Sequence, residues 1–328
     1  MHILITGGLG FLGSNLTRKL LQSPLNTITI IDDQSSGSLN NLSNLPSSDF
    51  YRIRIIKKDV CALNFGDIEA KLDIIYHLAS RASPRDFLDY PLEIMYANSF
   101  GTQRVLELTR QHKSKLIFTS TSEVYGDPLI HPQDETYSGN VNLHGIRSCY
   151  DESKRFAETL IAAHTRKYNL DTVILRIFNT YGPGMKIDDG RVIPNFIISS
   201  LVDKSIKING DGRQTRSFCY VDDLVNGMID IAQLKNNQAD VYNIGNDAEI
   251  TINELAHLIL TLTQSDSEII YGEQLSDDPL LRRPILTKIR SKIKYQPQIS
   301  LEEGLKRTIA YLADQMGMSH KKLLEVKI

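Results

Sequence analysis

Ile3-Leu4-Ile5-Thr6-Gly7-Gly8-Leu9-Gly10-Phe11-Leu12-Gly13 is a short apolar run that breaks into a GxxGxxG turn and then into an amphipathic stretch over Phe11–Leu21. Strand, glycine turn and helix in that order open a dinucleotide-binding βαβ unit. Glycine permits the tight turn and lets N–H groups at a helix N-terminus approach a pyrophosphate. Gly7, Gly10, Phe11 and Leu12 are the candidate contacts. A glycine turn also serves pure geometry, so the next element matters. Residues 27–31 read as a second strand, and it ends at Asp32, 19 residues beyond Gly13. An acid at that place accepts the ribose hydroxyls of NAD. Asp33 follows, and no Lys or Arg occurs from 32 to 49. A 2′-phosphate would meet two carboxylates and no cation, which predicts NAD over NADP.

The same rhythm continues outward. Residues 53–56, 74–78, 116–120 and 173–178 are β-branched and nearly continuous in apolar character, as parallel strands covered on both faces require. Helix-like stretches at 91–112 and 150–168 separate them, so the chain reads as α/β with a doubly wound parallel (Rossmann) sheet. Residues 34–49 are Ser/Asn-rich and read as an excursion after the second strand. Asp59 and Val60, after the third strand, are candidates for the adenine. Leu78, Ala79 and Ser80, after the fourth, are candidates for lining the cofactor. Past residue 180 the pattern loosens into helical stretches at 194–202, 221–233, 252–263 and 301–312, with one more strand at 241–245. This divides the chain into a cofactor-binding domain over 1–180, to which later segments return, a smaller substrate-binding α/β portion over 181–315, and a tail over 316–328.

Composition sets outer limits. With 328 residues and 41 % hydrophobic content the chain buries a sizeable core. Its 37 basic and 39 acidic residues are interspersed, which argues against nucleic acid or an anionic membrane as partner. Three cysteines, Cys61, Cys149 and Cys219, lack metal-ligand or CxxC spacing and fit a reducing cytoplasm. The scattered histidines predict no catalytic metal. No secretory signal and no bilayer-spanning run is evident.

Two segments carry chemistry. Tyr150-Asp151-Glu152-Ser153-Lys154 is a YxxxK pair opening a helix, and i, i+4 spacing puts both side chains on one face. A nearby ammonium and a positive nicotinamide ring favour the tyrosinate, which then takes a proton from a sugar hydroxyl. Such a pair also arises by chance on exposed helices. Ser120-Thr121-Ser122-Glu123-Val124-Tyr125-Gly126-Asp127 strengthens it, because it brings hydroxyls and a carboxylate to a strand's carboxyl end, where ligands bind in such sheets.

Together these motifs resemble the extended short-chain dehydrogenase/reductase superfamily, in its NAD-dependent epimerase/dehydratase branch, from residue 1 to about residue 315. Within the branch the chain is most similar to the UDP-glucuronate decarboxylase family. The residues that carry the likeness are Thr119 to Pro128, Cys149 to Arg155, Arg176-Ile177-Phe178-Asn179-Thr180-Tyr181-Gly182-Pro183, Asp189-Gly190-Arg191-Val192, Gly210 to Arg216, and Tyr220-Val221-Asp222-Asp223-Leu224. The resemblance implies a bound NAD, a UDP-sugar substrate and a homodimer formed through the helices at 91–112 and from Tyr150. It implies that Thr121 touches the sugar C4 hydroxyl, Glu123 acts near C5 and its carboxylate, Tyr150 is the general base, and Lys154 holds the nicotinamide ribose. It assigns Asn179, Arg191, Gln214 and Arg216 to the nucleotide diphosphate half, and Val192 and Arg282 to the substrate.

The implied reaction oxidises C4, loses CO₂ from the resulting β-keto acid, and reduces C4 again, giving UDP-xylose. A 4-epimerase would keep the carboxylate and give UDP-galacturonate, with Arg81, Ser122 and Glu123 deciding between the two. A 4,6-dehydratase fits less well, because Ser122 stands where that chemistry uses Asp. A non-catalytic NAD-binding protein is the reading from another class, and the intact Thr121, Tyr150 and Lys154 speak against it. Several positions depart from the family. The family has prolines around Ala79 to Arg85, where Arg81 and Arg85 intervene in this chain, each a candidate for the substrate carboxylate or for solvent, with solvent favoured for Arg85. Asn209 replaces an aromatic, Ile285 an acid, and His144 sits in an altered Leu143-His144-Gly145 loop.

Overall fold

The computed structural model describes residues 1–274 and 279–318, so most of the tail expected over 316–328 lies outside the described residues. Its centre is a seven-stranded sheet. In chain order the first six strands are β1 (His2–Thr6), β2 (Thr27–Asp32), β3 (Ile53–Lys57), β4 (Ile74–His77), β5 (Lys115–Thr121) and β6 (Thr172–Ile177). Across the sheet the order is Gln238–Ile244, β6, β5, β4, β1, β2, β3, and every pair is parallel. The strand anticipated at 241–245 is therefore present, as Gln238–Ile244 beside β6. Chain direction across the sheet reverses between β1 and β4, which is where ligands of such sheets bind.

Side chains alternate faces along each strand, and both faces are covered. On one face Ile3, Ile5, Ile28 and Ile30 pack with Leu16 and Leu20 of α1 (Phe11–Leu21) and with the helix Val221–Ile231. On the other, Leu4, Ile31, Ile75, Leu116 and Phe118 pack with Val105, Leu106, Ala157 and Ile161. The continuous helix anticipated over 91–112 differs in one respect. It consists of Pro91–Tyr96 and Thr102–His112, joined by a π turn at Ala97–Gly101. The extra residue in that turn brings Gly101 against Val60, where a Cβ would lie 2.6 Å from Val60 Cγ1.

The short strands Ile206–Asn209, Thr215–Ser217, Glu249–Thr251, Ile269–Gly272 and Leu281–Arg282 form two small sheets beside the main one. Among the described residues, no helix is long and apolar enough to cross a membrane.

Candidate active site

A cleft of about 970 Å³ opens over the carboxyl ends of β1, β4, β5 and β6. It collects every site residue anticipated from the sequence. Gly7, Gly10, Phe11, Leu12, Asp32, Asp59, Val60, Leu78, Ala79 and Ser80 line one end. Asn179, Arg191, Val192, Gln214, Arg216 and Arg282 line the cleft as well, and so do Arg81, Thr121, Ser122, Glu123, Tyr150 and Lys154. The altered loop residue His144 is exposed and is not among the lining residues.

The cofactor end begins at the β1–α1 turn. Gly7 has φ +72°, and a Cβ there would meet Ala79 N at 2.8 Å. At Gly13 a Cβ would meet Gly7 O at 2.2 Å, so α1 packs flush on the turn. Gly10 differs: a Cβ there would meet nothing of the protein closer than 3.4 Å, and the space it leaves clear is that of the cleft. No side chain caps α1. Its first N–H groups therefore face an anion's place at the positive end of the helix dipole. Asp32 is buried, with Oδ2 accepting from Leu9 N at 2.9 Å and Oδ1 from Gln34 N at 2.8 Å. Burial raises its pKa, and the two backbone N–H groups offset part of that rise. A cradle open to a diphosphate, with an acid fixed beside it, fits NAD.

Asp59 caps the turn after β3 by accepting from Cys61 N at 2.8 Å. Thr6 Oγ1 ties the β1 end to β4 by accepting from Ala79 N at 3.3 Å.

The reacting end lies at the close of β5. Thr121 Oγ1 accepts from Glu123 N at 3.2 Å and starts the short turn Ser122–Tyr125. Tyr150 and Lys154 enter from the helix Ser148–Tyr168, both buried. The Tyr150 ring stacks on Phe87 at 5.2 Å. Burial pushes its phenol up to about 12, while a hydrogen bond with Thr121 pulls it back. Burial also pushes the Lys154 ammonium down to about 7, and Nζ donates to Thr119 O at 2.8 Å. Lys154 Nζ sits 5.8 Å from the Tyr150 ring centroid. Burial of Tyr150 therefore opposes the tyrosinate that the sequence pattern favours.

Glu123 is gripped by two arginines. Arg282 donates through both Nη atoms, with Nη2 to Oε2 at 2.9 Å, and Arg147 donates to Oε2 as well. Their charges hold the Glu123 carboxyl well below the usual range, against the opposing pull of burial. The cluster of two guanidinium groups and one carboxylate carries a net charge of about +1 in a desolvated corner, which suits an anionic substituent.

Arg147 escaped the sequence reading, although it lies one helical turn before Tyr150. Phe87 escaped it too, and only its contact with Tyr150 reveals it. Asp151 was read only as part of the YxxxK spacer. It is buried beside Arg147 in a smaller cavity, and its Oδ1 has no hydrogen-bond partner. Burial, and then the Glu123 charge, push it up to about 8 from an ordinary value of 3.8. An acid whose pKa is raised in the folded state costs stability as pH rises from the unfolded to the folded value. Asp151→Asn removes that cost. We expect its gain in Tm over the parent to be larger at pH 8 than at pH 5, measured by thermal unfolding; an equal gain at both would contradict the assignment.

Arg81 and Arg85 are both engaged. Arg81 pairs with Asp86 at 3.1 Å, reaches Ser35 O at 3.3 Å and lies 3.8 Å over the Tyr90 ring. Arg85, anticipated in solvent, is exposed but donates to Asp188 O at 3.2 Å. At the far end Gln214 donates to Asn209 O at 2.7 Å, Arg216 to Thr215 O at 2.8 Å, and Arg191 pairs with Asp189 at 3.2 Å.

Several known proteins are similar to this chain over most of its length. UDP-glucuronic acid decarboxylase 6 of Arabidopsis thaliana is 43 % identical over 305 residues, covering 93 % of this chain and 87 % of that protein. UDP-glucuronic acid decarboxylase 1 of Danio rerio is 40 % identical over 315 residues, covering 96 % and 73 %. Among solved structures, the UDP-glucuronic acid 4-epimerase of Bacillus cereus, in complex with UDP-glucuronic acid and NAD, superposes with a TM-score of 0.84. It is 27 % identical and covers 96 % of this chain and 100 % of that one. The profile of the NAD dependent epimerase/dehydratase family matches residues 3–245, and the chain belongs to that family.

Proposed function

We propose that the chain decarboxylates UDP-glucuronate to UDP-xylose through a 4-keto intermediate. The observation that carries this reading is the Arg147–Glu123–Arg282 cluster beside Thr121 and Tyr150, a cationic corner within reach of a proton-abstracting pair. The decarboxylase relatives at 40–43 % identity support it. Residues 1–180, with the strand Gln238–Ile244, serve the cofactor, and 181–315 mainly serve the nucleotide sugar. Gly7, Gly10, Phe11, Leu12 and Asp32 hold the dinucleotide with Asp59, Val60, Leu78, Ala79 and Ser80. Asn179, Arg191, Gln214 and Arg216 grip the nucleotide diphosphate, and Val192 contacts the substrate.

When bound, NAD accepts a hydride from the sugar C4 and returns it at the end of the cycle. Tyr150 takes the C4 hydroxyl proton, with Thr121 orienting that hydroxyl and Lys154 favouring the phenolate. With C4 a ketone, the C5 carboxylate is a β-keto acid, and its C–C bond breaks as the electron pair delocalises into the enolate. Ser122 and Glu123 face this group, and Arg282 steadies the charge as CO₂ departs. C5 then takes a proton from water, and Tyr150 gives the proton it took back to the C4 oxygen. The measurement that tests this is release of labelled CO₂ from UDP-glucuronate labelled at its carboxyl, one per substrate consumed. Consumption with the label retained on the sugar nucleotide would favour the second reading, a 4-epimerase, which the Bacillus cereus structure supports by its likeness.

Asp32→Ala is expected to weaken NAD binding by about tenfold to a hundredfold, the loss of a charge-assisted contact or two. Titration of the cofactor checks it, and unchanged affinity would refute the role given to Asp32. We infer a homodimer from the exposed Leu92, Met95, Tyr96, Phe100 and Phe156 on neighbouring helices, with a second copy as occupant. A single-chain mass in sedimentation would contradict it. The free Cys61, Cys149 and Cys219 support a cytoplasmic setting.

A further inference from the structure

The segment from Ser80 to Asp86 follows β4 and lines the cleft along its whole length. Each end is fastened to a different side. At its start, Arg81 reaches Ser35 O at 3.3 Å, in the loop that follows Asp32. The guanidinium is held for that reach by Asp86 at 3.1 Å and by the Tyr90 ring beneath it at 3.8 Å. At its far end, Ser83 Oγ donates to Asp189 O at 2.6 Å and Arg85 Nη1 to Asp188 O at 3.2 Å. Arg191 returns a bond to Ala82 O at 3.4 Å. Gly190, at φ +84°, keeps the Arg85 stem close, for a Cβ there would lie 3.1 Å from Arg85 Cγ. One short segment thus ties the ribose-side loop of the cofactor end to the 188–191 loop of the substrate end.

Arg81 also bears on the cofactor end directly. It brings a cation to the loop beyond Asp32, where the sequence from 32 to 49 has none, and its pairing with Asp86 leaves it partly neutralised. The partners of the two guanidinium groups are Ser35, Asp86, Tyr90 and Asp188, all outside the Thr121–Glu123–Tyr150 cluster.

We propose that Ser80–Asp86 is a strap that retains the dinucleotide, with Arg81 and Arg85 as its two latches. It rests on the reading that the cleft holds NAD. A bound dinucleotide leaves only when the strap parts from the 35-loop or from the 188–191 loop, so each latch acts on the rate of departure. Retention matters because the cofactor in its reduced form must stay in place between the two redox steps of one turnover.

The test is the dissociation of NAD from the purified protein, followed after rapid dilution by the cofactor remaining on the protein after fast desalting. Arg81→Gln and Arg85→Gln are each expected to release NAD about tenfold faster than the parent, a size typical of losing a few charge-assisted hydrogen bonds. Arg81→Lys, which keeps the charge but not the fork or the stacking on Tyr90, is expected to recover only part of the loss. Far-UV circular dichroism confirms that each variant is folded. Should Arg81→Gln fail to fold, the Arg85→Gln rate alone decides the matter. Parent-like rates in the folded variants would overturn the strap while leaving the NAD site standing. A parent protein that binds no NAD would overturn both.

Discussion

Tyr150→Phe abolishes turnover and leaves NAD bound: this is the largest effect we expect from a single atom. The substitution removes only the phenolic oxygen. The ring keeps its stacking on Phe87 at 5.2 Å, and the helix Ser148–Tyr168 keeps its packing against the sheet. What is lost is the group that takes the C4 hydroxyl proton, and general-base catalysis contributes roughly 10²–10⁴ to the rate. Burial pushes the phenol up to about 12. Its ionisation therefore depends on charge that arrives with the cofactor and on Lys154, itself pushed down to about 7 by burial. Single-turnover assays with cofactor content measured in parallel check the prediction. Activity within a few-fold of the parent would remove Tyr150 from the mechanism, and loss of cofactor along with activity would recast it as a binding residue.

Glu123→Gln is expected to have the next largest effect, on two observables at once. The carboxylate sits between Arg147 and Arg282, whose side chains are 19 % and 5 % exposed. Removing one member of a buried ionic cluster leaves like charges facing each other without a partner, at a cost of about 3–5 kcal/mol. Turnover should fall by about 10² or more, because the group facing the C5 carboxylate loses its charge. Urea unfolding and steady-state assays separate the two effects. The pH dependence has a definite sign. The folded-state pKa of Glu123 is depressed, so its stabilisation is present above the ordinary carboxylate value of 4.5 and is lost as pH falls below it. The variant should therefore lose less stability on acidification than the parent. A variant of parental stability and activity would contradict the cluster's role.

Much of this was legible in the sequence because local patterns carry it. The alternating apolar runs give the six first strands to within a residue or two, and the GxxGxxG turn with Asp32 places the cofactor end. Motif spacing likewise put Thr121, Glu123, Tyr150 and Lys154 in one site. What stayed hidden depends on distant residues meeting. Glu123 and Arg282 are 159 positions apart, and only folding makes them a bidentate pair. Sequence alone leaves Arg81 open between substrate and solvent, because its partners, Ser35, Asp86 and Tyr90, come from three different segments. The π turn at Ala97–Gly101 has no periodic signature, since it answers to the contact of Gly101 with Val60. The small strands past residue 200 are too short for periodicity to register.

The most direct test of the central claim is proton NMR of the purified protein incubated with UDP-glucuronate and a catalytic amount of NAD. Conversion to UDP-xylose is expected, with many substrate molecules turned over per NAD and no lasting change in the cofactor. Formation of UDP-galacturonate, with the carboxylate kept, would contradict it and make the Arg147–Glu123–Arg282 corner a device for protecting that group.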